Sequence, residues 1–182
     1  MNRVQLFVDQ FYDQAICLSN AFSITREHDW NALIILNELS VQLGQIYNIM
    51  YDNEVVGERN RKFCNLGDEL SDVLLQLLSL YDCMYSDPIR IQSEFREIHW
   101  MSLPILLGQL NEAVMEKYGY RFNKPREGFE KLDDFIQHRI FLLLSIVFQI
   151  AAFHGLDMSF EFSEMILDAN NFLNQNFVSQ MQ

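Results

Sequence analysis

The sequence predicts an all-α fold, on two observations. Apolar residues recur at helical spacing through most of the chain, and residues that break helices are scarce. Of 182 residues, only 3 are proline and 7 are glycine, while 49% are apolar. That apolar share sets the chain apart from disordered and low-complexity sequences and suffices for one single domain, 1–182, with a real core.

About six helices can be placed. The first runs from about Val4 to Ala21, with Phe7, Phe11, Ala15 and Leu18 on one face. The second covers about Trp30 to Tyr51, and a polar loop with Gly57 follows it over residues 52–62. Asn65 is the expected N-cap of the third, which carries acids in its first turn and ends before Pro88. The fourth spans about Ile89 to Tyr118, with Pro104 as a kink or break. A loop from Gly119 to Gly128 leads to the fifth, from about Lys131 to Phe153, with Gly155 as its C′ residue. The last covers about Phe160 to Phe177. The longest uncharged apolar run, Ile140 to Phe153, falls short of a bilayer span and reads as a core helix. The aromatics, among them Phe7, Phe11, Phe141, Phe148 and Phe153, read as core.

The formal net charge of −12 opposes binding to nucleic acid polymers and anionic membranes. It also opposes unassisted binding of polyphosphates, so a nucleotide ligand would need divalent cations between itself and the protein. Cys17, Cys64 and Cys83 are widely spaced, with no metal-ligand pattern among them. They read as reduced, mostly buried thiols, and with no evident signal peptide the expected location is cytoplasmic.

Leu43-Gly44-Gln45-Ile46 recurs as Leu107-Gly108-Gln109-Leu110, each copy followed by a polar loop and a strongly apolar helix. A duplicated helix–loop–helix unit accounts for this echo, and so does chance similarity among leucine-rich helices.

The second helix carries Glu38, Gln42 and Gln45 inside its apolar arc rather than opposite it. Buried without partners, such groups would cost about 1–3 kcal/mol each. The third helix has Glu69, Asp72 and Gln76 in a strip along its apolar sector. Two helices joined by a loop pack antiparallel most simply, which sets Gln42 and Gln45 opposite Glu69 and Asp72. Oxygen-bearing side chains from two facing helices suit a hard divalent cation such as Mg²⁺. The bland alternative is a polar layer in which the glutamines pair across the bundle. Asp68 and Glu69 are also favoured in a first helical turn by the helix dipole, whatever their function.

The segment Gly67-Asp68-Glu69-Leu70-Ser71-Asp72-Val73-Leu74-Leu75-Gln76-Leu77 resembles the ExxD half of the signature of MazG-like nucleoside triphosphate pyrophosphohydrolases, a group related to the dimeric dUTPases. Leu39-Ser40-Val41-Gln42-Leu43-Gly44-Gln45-Ile46 is similar to the ExxE half in its apolar and glycine positions, with Gln42 and Gln45 where that half has glutamates. Asn170-Asn171-Phe172-Leu173-Asn174 resembles the KNxxN stretch of such enzymes, matching at Asn171 and Asn174 but carrying Asn170 in place of the lysine. The resemblance implies an all-α homo-oligomer, dimeric or tetrameric, that hydrolyses a nucleoside triphosphate to a monophosphate and pyrophosphate with Mg²⁺. Under it, Glu69, Asp72 and Glu38 are the catalytic and metal-binding candidates. Gln42, Gln45, Asn171 and Asn174 are the ligand-binding ones. A glutamine offers a neutral oxygen but neither negative charge nor a general base, so Glu38 would have to replace lost charge. A non-catalytic nucleotide-binding or assembly module is the alternative, and a purely structural helical oligomer a third. A second set, Gln109 and Glu112 facing Gln137, His138 and Arg139, lacks an acidic pair and reads as structural.

Overall fold

The computed structural model describes residues 3–25, 30–52, 66–85, 89, 99–122 and 124–180. Among them are six α-helices: α1 (Arg3–Thr25), α2 (Ala32–Asp52), α3 (Leu66–Met84), α4 (Leu103–Lys117), α5 (Leu132–Phe153) and α6 (Met158–Gln180). A single 3₁₀ turn, Trp100–Ser102, precedes α4. The all-helical expectation holds for these residues. Their β-type pairing is confined to one isolated bridge, Arg126 to Phe129.

α3 is the centre of the fold. It packs against α1, α2, α5 and α6, and from Leu70 to Tyr81 every residue except Asp72 is buried. This is why its apolar sector is so wide. The most extensive packing is α2 on α3, then α4 on α5. The chain thus contains two helical hairpins, with Gly44 and Gly108 of the echoed segments on the first helix of each. An aromatic cluster ties α1 and α5 to α6: the fully buried Phe162 lies 5.1 Å from Phe7 and 5.4 Å from Phe11, and Phe7 lies 5.2 Å from Phe148.

Local chemistry sets the helix ends. Asn31 Oδ1 accepts hydrogen bonds from the Leu33 and Ile34 amides, satisfying free donors at the start of α2. Asn31→Ala is therefore expected to cost about 1 kcal/mol, as a shift in urea midpoint at unchanged slope. At the end of α5, Gly155 adopts φ +70°. Its amide bonds Ala152 O while the Leu156 amide bonds Ala151 O, a Schellman closure that confirms Gly155 as the C′ residue. Gly119 closes α4 in the same way, with φ +79°.

Three expectations need correction. Pro104 marks a break rather than a kink: α4 starts at Leu103, not near Ile89, and the proline occupies its first turn, where a missing N–H has no cost. Cys17 and Cys83 are exposed rather than buried. Phe153 lies at the end of α5 and is 85% exposed, because the core ends before it. The whole of α5, Leu132–Phe153, is long and apolar enough by composition to cross a membrane, although Ile140 to Phe153 alone is not; 61% of its most apolar stretch is buried within the protein, as in a core helix. Asn65, Cys64, Gly57 and the loop after α2 lie outside the described residues.

Candidate functional site

The α2–α3 hairpin places two polar pairs in register along its seam. Gln42 Nε2 donates to Asp72 Oδ2 at 3.2 Å. One turn away, the Gln45 carboxamide lies against both oxygens of Glu69; with its nitrogen assigned to that side, as the two acceptors require, it donates to Oε1 at 2.5 Å and Oε2 at 3.0 Å. The same antiparallel register brings Glu38 level with Gln76, and both line one cavity with Gln42 and Asp72. The seam is thus a ladder in which each level holds one acid and one carboxamide. The glutamines do meet the acids across the hairpin, and they do so as donors to carboxylates rather than by pairing with one another.

The energetics follow from burial. Glu69 is 5% exposed and depends on Gln45 as a hydrogen-bond donor. Asp72 is half-buried, and burial, joined by the nearby Asp68 and Glu69 charges, pushes its carboxyl up to about 7. Burial also raises Asp68, helped by Asp168 on α6. Neutral amides let this acidic strip exist without a cation: each supplies a hydrogen bond while adding no charge.

The cavity beside Asp72 measures about 160 Å³. Phe22 of α1 and Trp30, which precedes α2, give it aromatic walls, while Ser79 of α3 adds a hydroxyl. Gln76 and Ser79 each also keep one buried oxygen, Oε1 and Oγ, with no hydrogen-bond partner among the described residues. A larger cavity of about 810 Å³ lies elsewhere, where Leu6, Phe7, Phe148 and Met158 give a mainly apolar lining, with Arg3 and Asp157 as its charged members. Size alone would favour that cavity; chemistry favours the smaller one.

The other candidates are placed differently. Asn171 and Asn174 are exposed on α6, beyond Asp168. Among the described residues, no three His, Cys, Asp or Glu side chains are gathered as a metal would require. In the second hairpin, Glu112 pairs with Lys124 at 2.7 Å and Arg121 at 3.3 Å. The buried Glu116 pairs with Arg126 at 2.7 Å and accepts the Lys124 amide. These bonds pin the α4–α5 loop, in keeping with a structural role for this copy. Ser79 and the aromatic walls were not singled out from sequence, although the spacing of Glu69, Asp72, Gln76 and Ser79 continues one helical stripe.

No protein-family model, curated protein or solved structure matches this chain.

Proposed function

We propose that this chain is a MazG-like nucleoside triphosphate pyrophosphohydrolase homologue whose site lies on the α2–α3 seam. One observation carries the reading: Gln42 and Gln45 meet Asp72 and Glu69 in register, at the four positions where the resemblance sets its acidic residues. The donor set suits a hard divalent cation in kind, since two carboxylates and two carboxamides can all offer oxygen. Glu69 and Asp72 would hold Mg²⁺ directly, the Gln42 and Gln45 carbonyl oxygens would assist once their amides turned, and Glu38 would add charge from the next level. When bound, such an ion would offset polyphosphate charge and acidify an attacking water. Burial pushes the Asp72 carboxyl up to about 7 in the metal-free chain, so taking up a cation there would release a proton. Exposed Asn171 and Asn174 would meet the phosphates from α6, and assembly as a dimer or tetramer belongs to the same proposal.

A second reading, a nucleotide-binding module without catalysis, is favoured by the capping of each carboxylate by an amide N–H. That arrangement satisfies the acids without an ion and leaves half the negative charge of a four-carboxylate site. Pyrophosphate release from a panel of common and modified nucleoside triphosphates, with Mg²⁺ or Mn²⁺, decides between them. Turnover of any member above a protein-free control supports the hydrolase. Binding in calorimetry with no turnover across the panel leaves the module.

A further inference from the structure

The larger cavity, of about 810 Å³, lies within the roughly 300–1,000 Å³ range of sites that take up a whole small molecule. It opens between the start of α1, the end of α5 and the start of α6. Of its apolar members, Phe7, Ala151 and Met158 are buried core residues, so these walls are set by the packing of three helices. Ring contacts of Phe7 with Phe148 and Phe162, at 5.2 Å and 5.1 Å, hold one wall in place. Gln10, Gln149 and Ser159 also line the space and are neutral. Its two charged members, Arg3 and Asp157, do not pair with each other, because the ion pairs among the described residues all lie in the α4–α5 hairpin. Asp157 is already engaged: its Oδ1 accepts the Ser159 amide at 3.0 Å and caps α6. Arg3 is exposed and has no ion-pair partner among the described residues. Apolar walls thus meet one cation whose charge is not answered.

We propose that this cavity binds an amphiphilic monocarboxylate, with its apolar body against Phe7, Phe148 and Met158 and its carboxylate at Arg3. A guanidinium matches a carboxylate through two parallel N–H bonds. A single negative charge fits a single open cation, and a chain of net charge −12 penalises every further negative charge on a ligand. A cationic head would leave Arg3 unpaired and would have to draw Asp157 away from the α6 amide it caps. Each methylene of the ligand fully removed from water should tighten binding about fourfold. The site shares no residue with the α2–α3 seam, so it stands whether or not the chain hydrolyses nucleotides.

The test is equilibrium binding of the full chain to octanoate, decanoate and decanol, each below its micelle or solubility limit. Decanoate is expected to bind about fivefold or more tightly than octanoate, through its two extra methylenes. It is also expected to bind about fivefold or more tightly than decanol, through its charge. The second comparison is diagnostic, because a chain of net charge −12 repels an anion unless a local cation holds it. Arg3→Gln should bring decanoate and decanol close to equal affinity while keeping the gain from octanoate to decanoate. Ala152→Trp, at an exposed position in the lining, should fill the space and weaken decanoate and decanol alike, about tenfold or more, with the thermal melt unchanged. No binding of decanoate, equal affinity for octanoate and decanoate, decanol binding as tightly as decanoate, or a carboxylate preference that survives Arg3→Gln would each overturn the site. Decanoate binding that Ala152→Trp leaves unchanged would place the ligand outside this cavity and overturn it as well.

Discussion

Asp72→Asn is expected to abolish the proposed pyrophosphate release and, whatever the activity, to stabilise the protein. On the catalytic side, an amide at this position can still accept the Gln42 hydrogen bond but can neither take up a proton nor neutralise a cation. Loss of a ligand carboxylate weakens the cation that offsets polyphosphate charge, so about a hundredfold drop or more is expected. On the stability side, the folded carboxyl titrates at about 7 against an ordinary value of 3.8. Because the folded value is the higher, the folded chain holds a proton that the unfolded chain has released between those two values, and stability falls as pH rises through that window. Above pH 7 the fold carries a buried charge beside Asp68 and Glu69. Asparagine removes that charge. The full rise from 3.8 to about 7 corresponds to about 4 kcal/mol; partial exposure of Asp72 reduces this to about 2 kcal/mol at pH 8. The advantage should shrink by more than half at pH 5 and vanish near pH 3. Urea unfolding of both proteins at pH 8 and pH 5 measures it. A variant that is less stable than wild type at pH 8 would show that Asp72 is held by its surroundings as a favourable charge, the opposite of the electrostatics argued here. Gain of stability with loss of activity is the signature of a site kept strained for function.

The fold was legible because it depends on pattern. Few breakers and helical spacing of Phe7, Phe11, Ala15 and Leu18 specify α1, and all four are buried. The facing of Gln42 and Gln45 toward Asp72 and Glu69 was legible for a related reason: polar groups inside an apolar arc must find partners, and the antiparallel hairpin offers those ones. Which level pairs with which was not legible, since register depends on how α3 seats among four neighbouring helices. Nor was the role of Pro104. A proline in an apolar run reads equally as a kink and as a start, and only the 3₁₀ turn at Trp100–Ser102 identifies it as a start. Phe22 and Trp30 escaped notice because they reach the site from outside the hairpin that carries the polar ladder. Their contribution arises from tertiary packing of α1 and the start of α2 against α3, which leaves no local spacing to read.

The double substitution Gln42→Glu with Gln45→Glu should convert the ladder into a cation-dependent site. In the folded chain Gln45 supplies the hydrogen bond that a buried Glu69 needs, and Gln42 does the same for Asp72. Replacing each donor by a carboxylate puts like charges at hydrogen-bonding distance, where two ionised carboxyls cannot coexist without a shared proton or a cation. Without divalent metal the variant is therefore expected to lose about 3–5 kcal/mol at pH 8, the range found when a buried charge is left uncompensated. Lowering the pH to about 5.5 should recover part of that loss as protons are taken up. Millimolar Mg²⁺ should recover more of it, because four carboxylates then face one divalent charge. Mg²⁺ affinity by calorimetry should exceed that of wild type at least a hundredfold, and the melting temperature of the variant should depend on Mg²⁺ much more steeply than that of wild type. The sign of the metal response separates the readings of the seam. If acid rescues the variant and Mg²⁺ does not, the four side chains pair across the hairpin but do not enclose a cation, and the ladder is a polar layer that holds α2 and α3 in register. If Mg²⁺ rescues it and pyrophosphate release rises with it, then the two glutamines are what limits catalysis in this chain, and the acids of α3 have stayed in place to serve a metal.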